Sequence, residues 1–195
     1  MSSYSAGPRS GLNTRQAETV ERLLVAGDEE LRAVGVDALT IRTVAVRAGV
    51  SSATAYTYFA SRNHLFAELF WRRLVTDPGP EPAGPRAVDR LQAVTRHMAT
   101  MLAGAPELAA AATTALLAHD PEVERLRLEI GTEFANRFRD AIGEPADPRV
   151  LEALVLAFSG ALLQAGMGVL TYTEMGERLD DVVAAICHGH TMEGQ

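Results

Sequence analysis

Apolar residues return along this chain every three or four positions, the repeat of helices that bury one face. Val20, Leu23, Leu24, Leu31 and Val34 share such a face, and Gly35 then offers a helix-ending glycine. Thr40 stands where an N-cap is needed for a short helix running to about Ala48, with Gly49 behind it. Ser51 is the next N-cap, for a two-turn helix ending near Phe59, and Ser61 opens a helix that carries Leu65, Phe66, Leu69 and Phe70 inward. The stretch "TDPGPEPAGPR" (76–86) holds four prolines and two glycines and reads as a linker. Past it, Leu91, Val94, Met98, Met101 and Leu102 form a stripe. Pro106 and Pro121 suit first helical positions, the second behind Asp120 as cap. Val123, Leu126, Ile130, Phe134, Phe138 and Ile142 run down a long helix. Leu151, Leu154, Val155, Phe158 and Leu162 follow on the next, and Leu179, Val182, Val183 and Ile186 on the last. Strand signals are nearly absent. The pattern predicts an all-α fold of about nine helices, with a flexible tail over 1–14, a first helical block over 15–75, the linker over 76–86 and a larger helical block over 87–195.

With 195 residues, 47% of them hydrophobic, the chain can fill a core. No apolar run approaches the roughly 18–20 residues that cross a bilayer, and the start "MSSYSAGPRSGLNTR" lacks an apolar signal segment. A lone Cys187 excludes an internal disulfide. A cytoplasmic protein with no membrane partner is expected. The net charge of −7 argues against nucleic acid until its distribution is considered. Residues 38–75 carry five arginines (Arg42, Arg47, Arg62, Arg72, Arg73) against one acid, Glu68, whereas 76–195 carry nine arginines against eighteen acids. Basic character is confined to one short block.

That block contains "AGVSSATAYTYFASRNHL" (48–65). Two short capped helices joined by "AGVS" suit a helix-turn-helix, whose second helix enters the major groove of DNA. Ser52, Ala53 and Thr54 in its first turn are short enough for close approach, and their hydroxyls and methyl groups can meet base edges. Tyr56 and Tyr58 end in hydroxyls suited to flanking phosphates. Arg62 sits in the first turn of the following helix, where its charge opposes the helix dipole by about 0.3–1 kcal/mol. A phosphate docked there removes the conflict.

The segment "LTIRTVAVRAGVSSATAYTYFASRNHLFAELF" (39–70) resembles the DNA-binding domain of the tetracycline-repressor (TetR) family of bacterial regulators. The family pattern has a helix opening on threonine, then "A..AGVS", a small residue, Thr, an apolar residue and Tyr, followed by an aromatic-Phe pair and a polar turn. Ala55, Ala53, Ser52, Asn63 and His64 depart from the family's usual residues, and a small Ala55 implies a recognition helix that packs less firmly. The resemblance implies a DNA-reading domain over 15–75 and a regulatory and dimerisation domain over 87–195. By position it places Thr40, Tyr56, Tyr58 and Arg62 on phosphates and Arg42, Ser52, Ala53 and Thr54 near base edges, and Ser51, the cap of the recognition helix, is counted with the DNA-binding residues. It also implies a homodimer through the last two long helices, about 148–170 and 174–190, on a near-palindromic double-stranded operator. Gly160, Ala161, Ala165, Gly166 and Gly168 suit close helix approach there.

A repressor released by a small, largely apolar effector follows from the same resemblance. Trp71, Met98, Met101, Leu102, Leu117, Phe134 and Phe138 are candidate pocket walls, with His97 and Gln164 as polar members. Two other readings remain: a regulator without a small-molecule effector, and a helical small-molecule-binding protein whose DNA head is vestigial. No enzyme, cofactor or metal is expected. "CHGH" (187–190) lacks the second ligand pair a zinc site needs, and no phosphate-cradling glycine loop or nucleophile motif is present.

Overall fold

The computed structural model describes residues 13–81 and 83–193, with side chains to 189. The expected tail, apart from its last two residues, Pro82 of the linker and the side chain of His190 lie outside the described residues. Nine helices and no strand occur among the described residues. The described residues form two compact units, one within 13–78 with 114–127 and the other within 79–113 with 128–193. Segment 114–127, well beyond the expected linker, thus clusters with the first helices.

In the first unit, α1 (Thr14–Ala38) opens on a capping box in which Asn13 and Gln16 satisfy each other's backbone N–H groups. Gly35, at φ 75°, breaks the regular helix before Ala38. Val34, expected on the buried face, is 44% exposed just ahead of this break, and Leu39 beyond it is fully buried. Helix α2 (Ile41–Arg47) is capped by Thr40, α3 (Ser52–Tyr58) by Ser51 and α4 (Arg62–Thr76) by Ser61, each side-chain oxygen accepting the N–H three residues ahead. Leu23, Ile41, Val44, Ala55, Phe59, Leu65, Phe66, Leu69 and Phe70 close the core of this unit. Ala55 is fully buried, so the small residue still packs α3 inward. Helix α4 also meets the start of α7, where Ala67 packs with Val123 and Leu126 and against half-buried Trp71 and Leu116.

The second unit contains α5 (Ala87–Ala103), most of α6 (Pro106–Leu117) and α7 (Pro121–Ile142), then α8 (Pro148–Gly166) and α9 (Tyr172–Glu193). Both α5 and α8 pack along α9. Gly176 permits the first contact, since a Cβ there would stand 2.9 Å from the Cβ of Ala99. Arg96 donates to Asp180 at 2.7 Å and Gln92 to the Asp180 carbonyl at 3.0 Å along the same seam. Arg90 ties the end of α7 to α5 by donating to the carbonyls of Ala141 and Ile142. Phe134 and Phe138 meet Phe158 edge to face, at centroid distances of 4.9 and 5.6 Å.

Three details differ from the sequence-based expectation. Helix α8 stops at Gly166 and α9 starts at Tyr172, because Thr171 and Glu174 form a capping pair that claims the earlier start. Val182, expected inward, is 38% exposed. And α8, charged only at Arg149 and Glu152, is long and apolar enough to cross a membrane by length and composition, a property the expectation denied to every segment.

Candidate nucleic-acid interface

Helix α3 is held by one face and exposed on the other. Ala55 and the C-cap Phe59 are buried, while Ser52 and Thr54 are half-buried and Ala53, Tyr56 and Thr57 are exposed. The turn before it exists because Gly49, at φ 66°, adopts a backbone conformation that disfavours side chains, after which Val50 N–H bonds back to the Ala45 carbonyl. The result is a short helix with a shallow outer surface of methyl and hydroxyl groups. Tyr58 is half-buried at the end of the helix.

Several of these hydroxyls have structural duties. Ser51 Oγ accepts from Thr54 N–H at 3.0 Å and lies 2.8 Å from Thr54 Oγ1. Thr40 Oγ1 accepts from Thr43 N–H at 3.1 Å, and Thr43 Oγ1 donates back to the Thr40 carbonyl at 2.9 Å. Thr57, not singled out from the sequence, donates to the Ala53 carbonyl at 3.0 Å yet stays on the exposed face. Its signal was available: it lies one turn beyond Ala53.

The arginine block is less basic in space than along the chain. Arg47 donates to Glu30 at 2.7 Å, and Glu30 is almost wholly buried; Arg72 pairs with Glu21. Both acids belong to α1, outside the stretch counted as basic. Arg62, expected to await a phosphate, donates at 3.3 and 3.4 Å to the carbonyls of Val36 and Asp37 and lies over the Phe66 ring. The end of α1 therefore eases much of the dipole conflict that the sequence posed. Arg42 is exposed and makes no ion pair among the described residues. It lines a shallow depression with Glu30, Thr43, Val46 and Arg47, and Val46 is 79% exposed there. Val46 was not singled out, although it stands two residues, about 200° of helix, beyond the buried Val44, so the helical repeat already turns it outward.

This arrangement has counterparts among known proteins. Residues 23–69 match the family model described as bacterial regulatory proteins, tetR family. The HTH-type transcriptional regulator Rv0767c of Mycobacterium tuberculosis is 43% identical over 179 residues, covering 91% of this chain and 84% of that protein. The chain belongs to the TetR family. Its fold is also that of a TetR transcriptional regulator from Rhodococcus sp. RHA1, at a TM-score of 0.72 and 21% identity, covering 90% of this chain and 97% of that one. The FadR of Thermus thermophilus, a TetR-family transcriptional repressor solved with lauroyl-CoA, matches at a TM-score of 0.59 and 21% identity over 84% of this chain and 92% of that one.

The effector-site candidates of this TetR-family chain divide between the two units. Trp71 and Leu117 lie in the first, and His97, Met98, Met101, Leu102, Phe134, Phe138 and Gln164 in the second. Met98, Leu102 and Phe138 are buried core, with Met101 and Phe134 nearly so, and His97 and Trp71 are half-buried. Two candidates face outward, contrary to expectation. Leu117, 64% exposed, is the last residue of α6, where the helix end turns it away from the apolar side. Gln164 is exposed on the side of α8 that also carries Leu156.

Proposed function

We propose that this TetR-family transcriptional regulator is a repressor that binds a near-palindromic operator as a homodimer and releases it when a small, largely apolar molecule occupies the second unit. The exposed face of α3 carries the reading. Ser52, Ala53 and Thr54 keep the helix shallow enough to enter a major groove, Arg42 brings a charge uncommitted to any described ion pair, and Tyr56, 45% exposed, offers a rigid hydroxyl at the rim. Thr40, Tyr58 and Arg62 flank this surface as phosphate contacts, and Ser51 fixes its first turn.

Dimerisation is supported by a side of α8 that the chain leaves uncovered, where apolar residues stand beside exposed Gln164. Leu156 is 67% exposed, Gly160 has open space where a Cβ would stand, and Met167 is 62% exposed. Val182 on α9 adds to the uncovered surface. A second copy of the same two helices would cover these residues through a self-complementary, two-fold contact. The effector reading draws on the aromatic and methionine-rich interior of the second unit and on the lauroyl-CoA bound by the Thermus FadR.

The experiment is a titration of the full chain against the duplex upstream of its own gene, with complex mass measured by light scattering. Two chains per duplex are expected, with binding that falls steeply with salt and weakens on Arg42→Ala. A monomeric complex, or binding indifferent to Arg42, would contradict the proposal.

A further inference from the structure

The turn that joins the recognition helix to α4 is only three residues long, Phe59 to Ser61, of which Phe59 caps α3 and Ser61 caps α4. It is fixed from two sides. Ala60 N–H donates to His64 Nδ1 at 3.4 Å, and His64 is buried with its ring edge-on to Phe59, the C-cap of α3. Ser61 Oγ accepts from His64 N–H at 3.0 Å and donates to Asp120 Oδ2 at 2.5 Å. The other carboxylate oxygen of Asp120 accepts from Glu122 N–H at 3.0 Å, capping α7. One carboxylate thereby joins the first turns of two helices 59 residues apart in sequence.

The segment bearing Asp120 is itself anchored. Arg127 donates to the carbonyls of Leu116 and Ala118 at 2.6 and 2.8 Å, which pins the connection before α7. Val123 and Leu126 bury against Ala67 of α4. Around the joint, Glu68 lies 3.6 Å from His64 Nε2 and 3.6 Å from Arg125. Asp120 also lies outside residues 23–69, the part of the chain that the family model describes.

We propose that Asp120 is a positioning residue for operator recognition: through Ser61 it holds the Ala60–Ser61 turn, and so the angle at which α3 leaves the core. This rests on the DNA-binding reading above. A carboxylate suits the task because it accepts from Ser61 and from Glu122 N–H at once, whereas an amide offers a single acceptor oxygen. The Ser61 hydrogen bond, chiefly, holds the Asp120 carboxyl below the ordinary aspartate range, so it is ionised at neutral pH.

The test uses a duplex selected by the native chain from a randomised library, then compares Asp120→Asn, Ser61→Ala and the double variant at a temperature well below their melting points. Asp120→Asn keeps an N-cap for α7 and loses the acceptor facing Ser61. It is expected to bind the selected duplex about tenfold more weakly, the scale of one charge-assisted hydrogen bond. Hydrogen exchange should quicken at the amides of α3 and the following turn while that of α1 is unchanged. The double variant should be no weaker than the weaker single one. Native affinity in Asp120→Asn, or single losses that multiply in the double variant, would overturn the proposal. If Asp120→Asn fails to fold, Asp120→Ser, which keeps a capping oxygen for α7 and cannot reach Ser61 at the same time, decides it, with the same tenfold loss expected and native affinity overturning it. A native chain that selects no duplex would instead overturn the DNA-binding reading on which the proposal stands.

Discussion

Thr40, Ser51 and Ser61 each spend a side-chain oxygen on a backbone N–H three residues ahead, so these hydroxyls serve the fold before any contact with DNA. Ser51→Ala should therefore lower stability by about 1 kcal/mol in denaturant titrations, with operator preference retained. Thr54 differs, because its methyl group and half-exposed position leave it facing outward even while its hydroxyl meets Ser51. Thr54→Ala should relax preference at a single base-pair position, by about 1–3 kcal/mol in competition against variant duplexes. Asp120 gives a prediction in pH. Its folded pKa lies below the unfolded value of about 3.9, so its contribution is complete at neutral pH and is lost as pH falls through the folded value. Acid unfolding of Asp120→Asn should accordingly show a weaker pH dependence below about pH 4 than the native chain, and identical acid profiles would remove the carboxylate from the account. At this scale the caps were legible, since a hydroxyl before an apolar repeat has a local meaning. The partners of Arg47, Arg72 and Arg62 were not, because Glu30, Glu21 and the carbonyls of α1 lie 17 to 51 residues away in the chain.

Helix starts were easier to read than helix sides. Pro106 and Asp120 with Pro121 mark starts through local backbone chemistry, and the helices begin there. Which side of a helix is covered depends on neighbours, and that is where Val34, Leu117, Gln164 and Val182 departed from expectation. Small residues tell the same story. The glycines of α8 drew notice as a group, and they divide: a Cβ at Gly166 would stand 2.9 Å from Thr113 of α6, whereas Gly160 meets nothing within 4 Å, and the unremarked Gly176 is where α9 meets α5. Gly176→Val should cost about 1–3 kcal/mol of stability by overpacking that seam, measurable by thermal unfolding. Gly160→Ala should leave the stability of an isolated chain nearly unchanged and act only through dimer dissociation. A chain in which both substitutions behaved alike would contradict the proposed assignment of the α8 surface.

At the scale of the whole molecule, the excess of acid and the arginine-bearing head are compatible because they occupy different parts of the chain. Family membership was legible in residues 39–70, where turn geometry, short groove-facing residues and helix caps constrain the sequence together. The clustering of 114–127 with the first helices was not, since it arises from packing of Val123 and Leu126 on Ala67 and from the Ser61–Asp120 bond. The central claim is that a symmetric pair of chains presents two copies of α3 to one face of a duplex. Hydroxyl-radical footprinting on the duplex upstream of the chain's own gene tests it most directly. Two protected patches related by a dyad are expected, with centres about 34–36 Å apart. One unsymmetrical patch would contradict it.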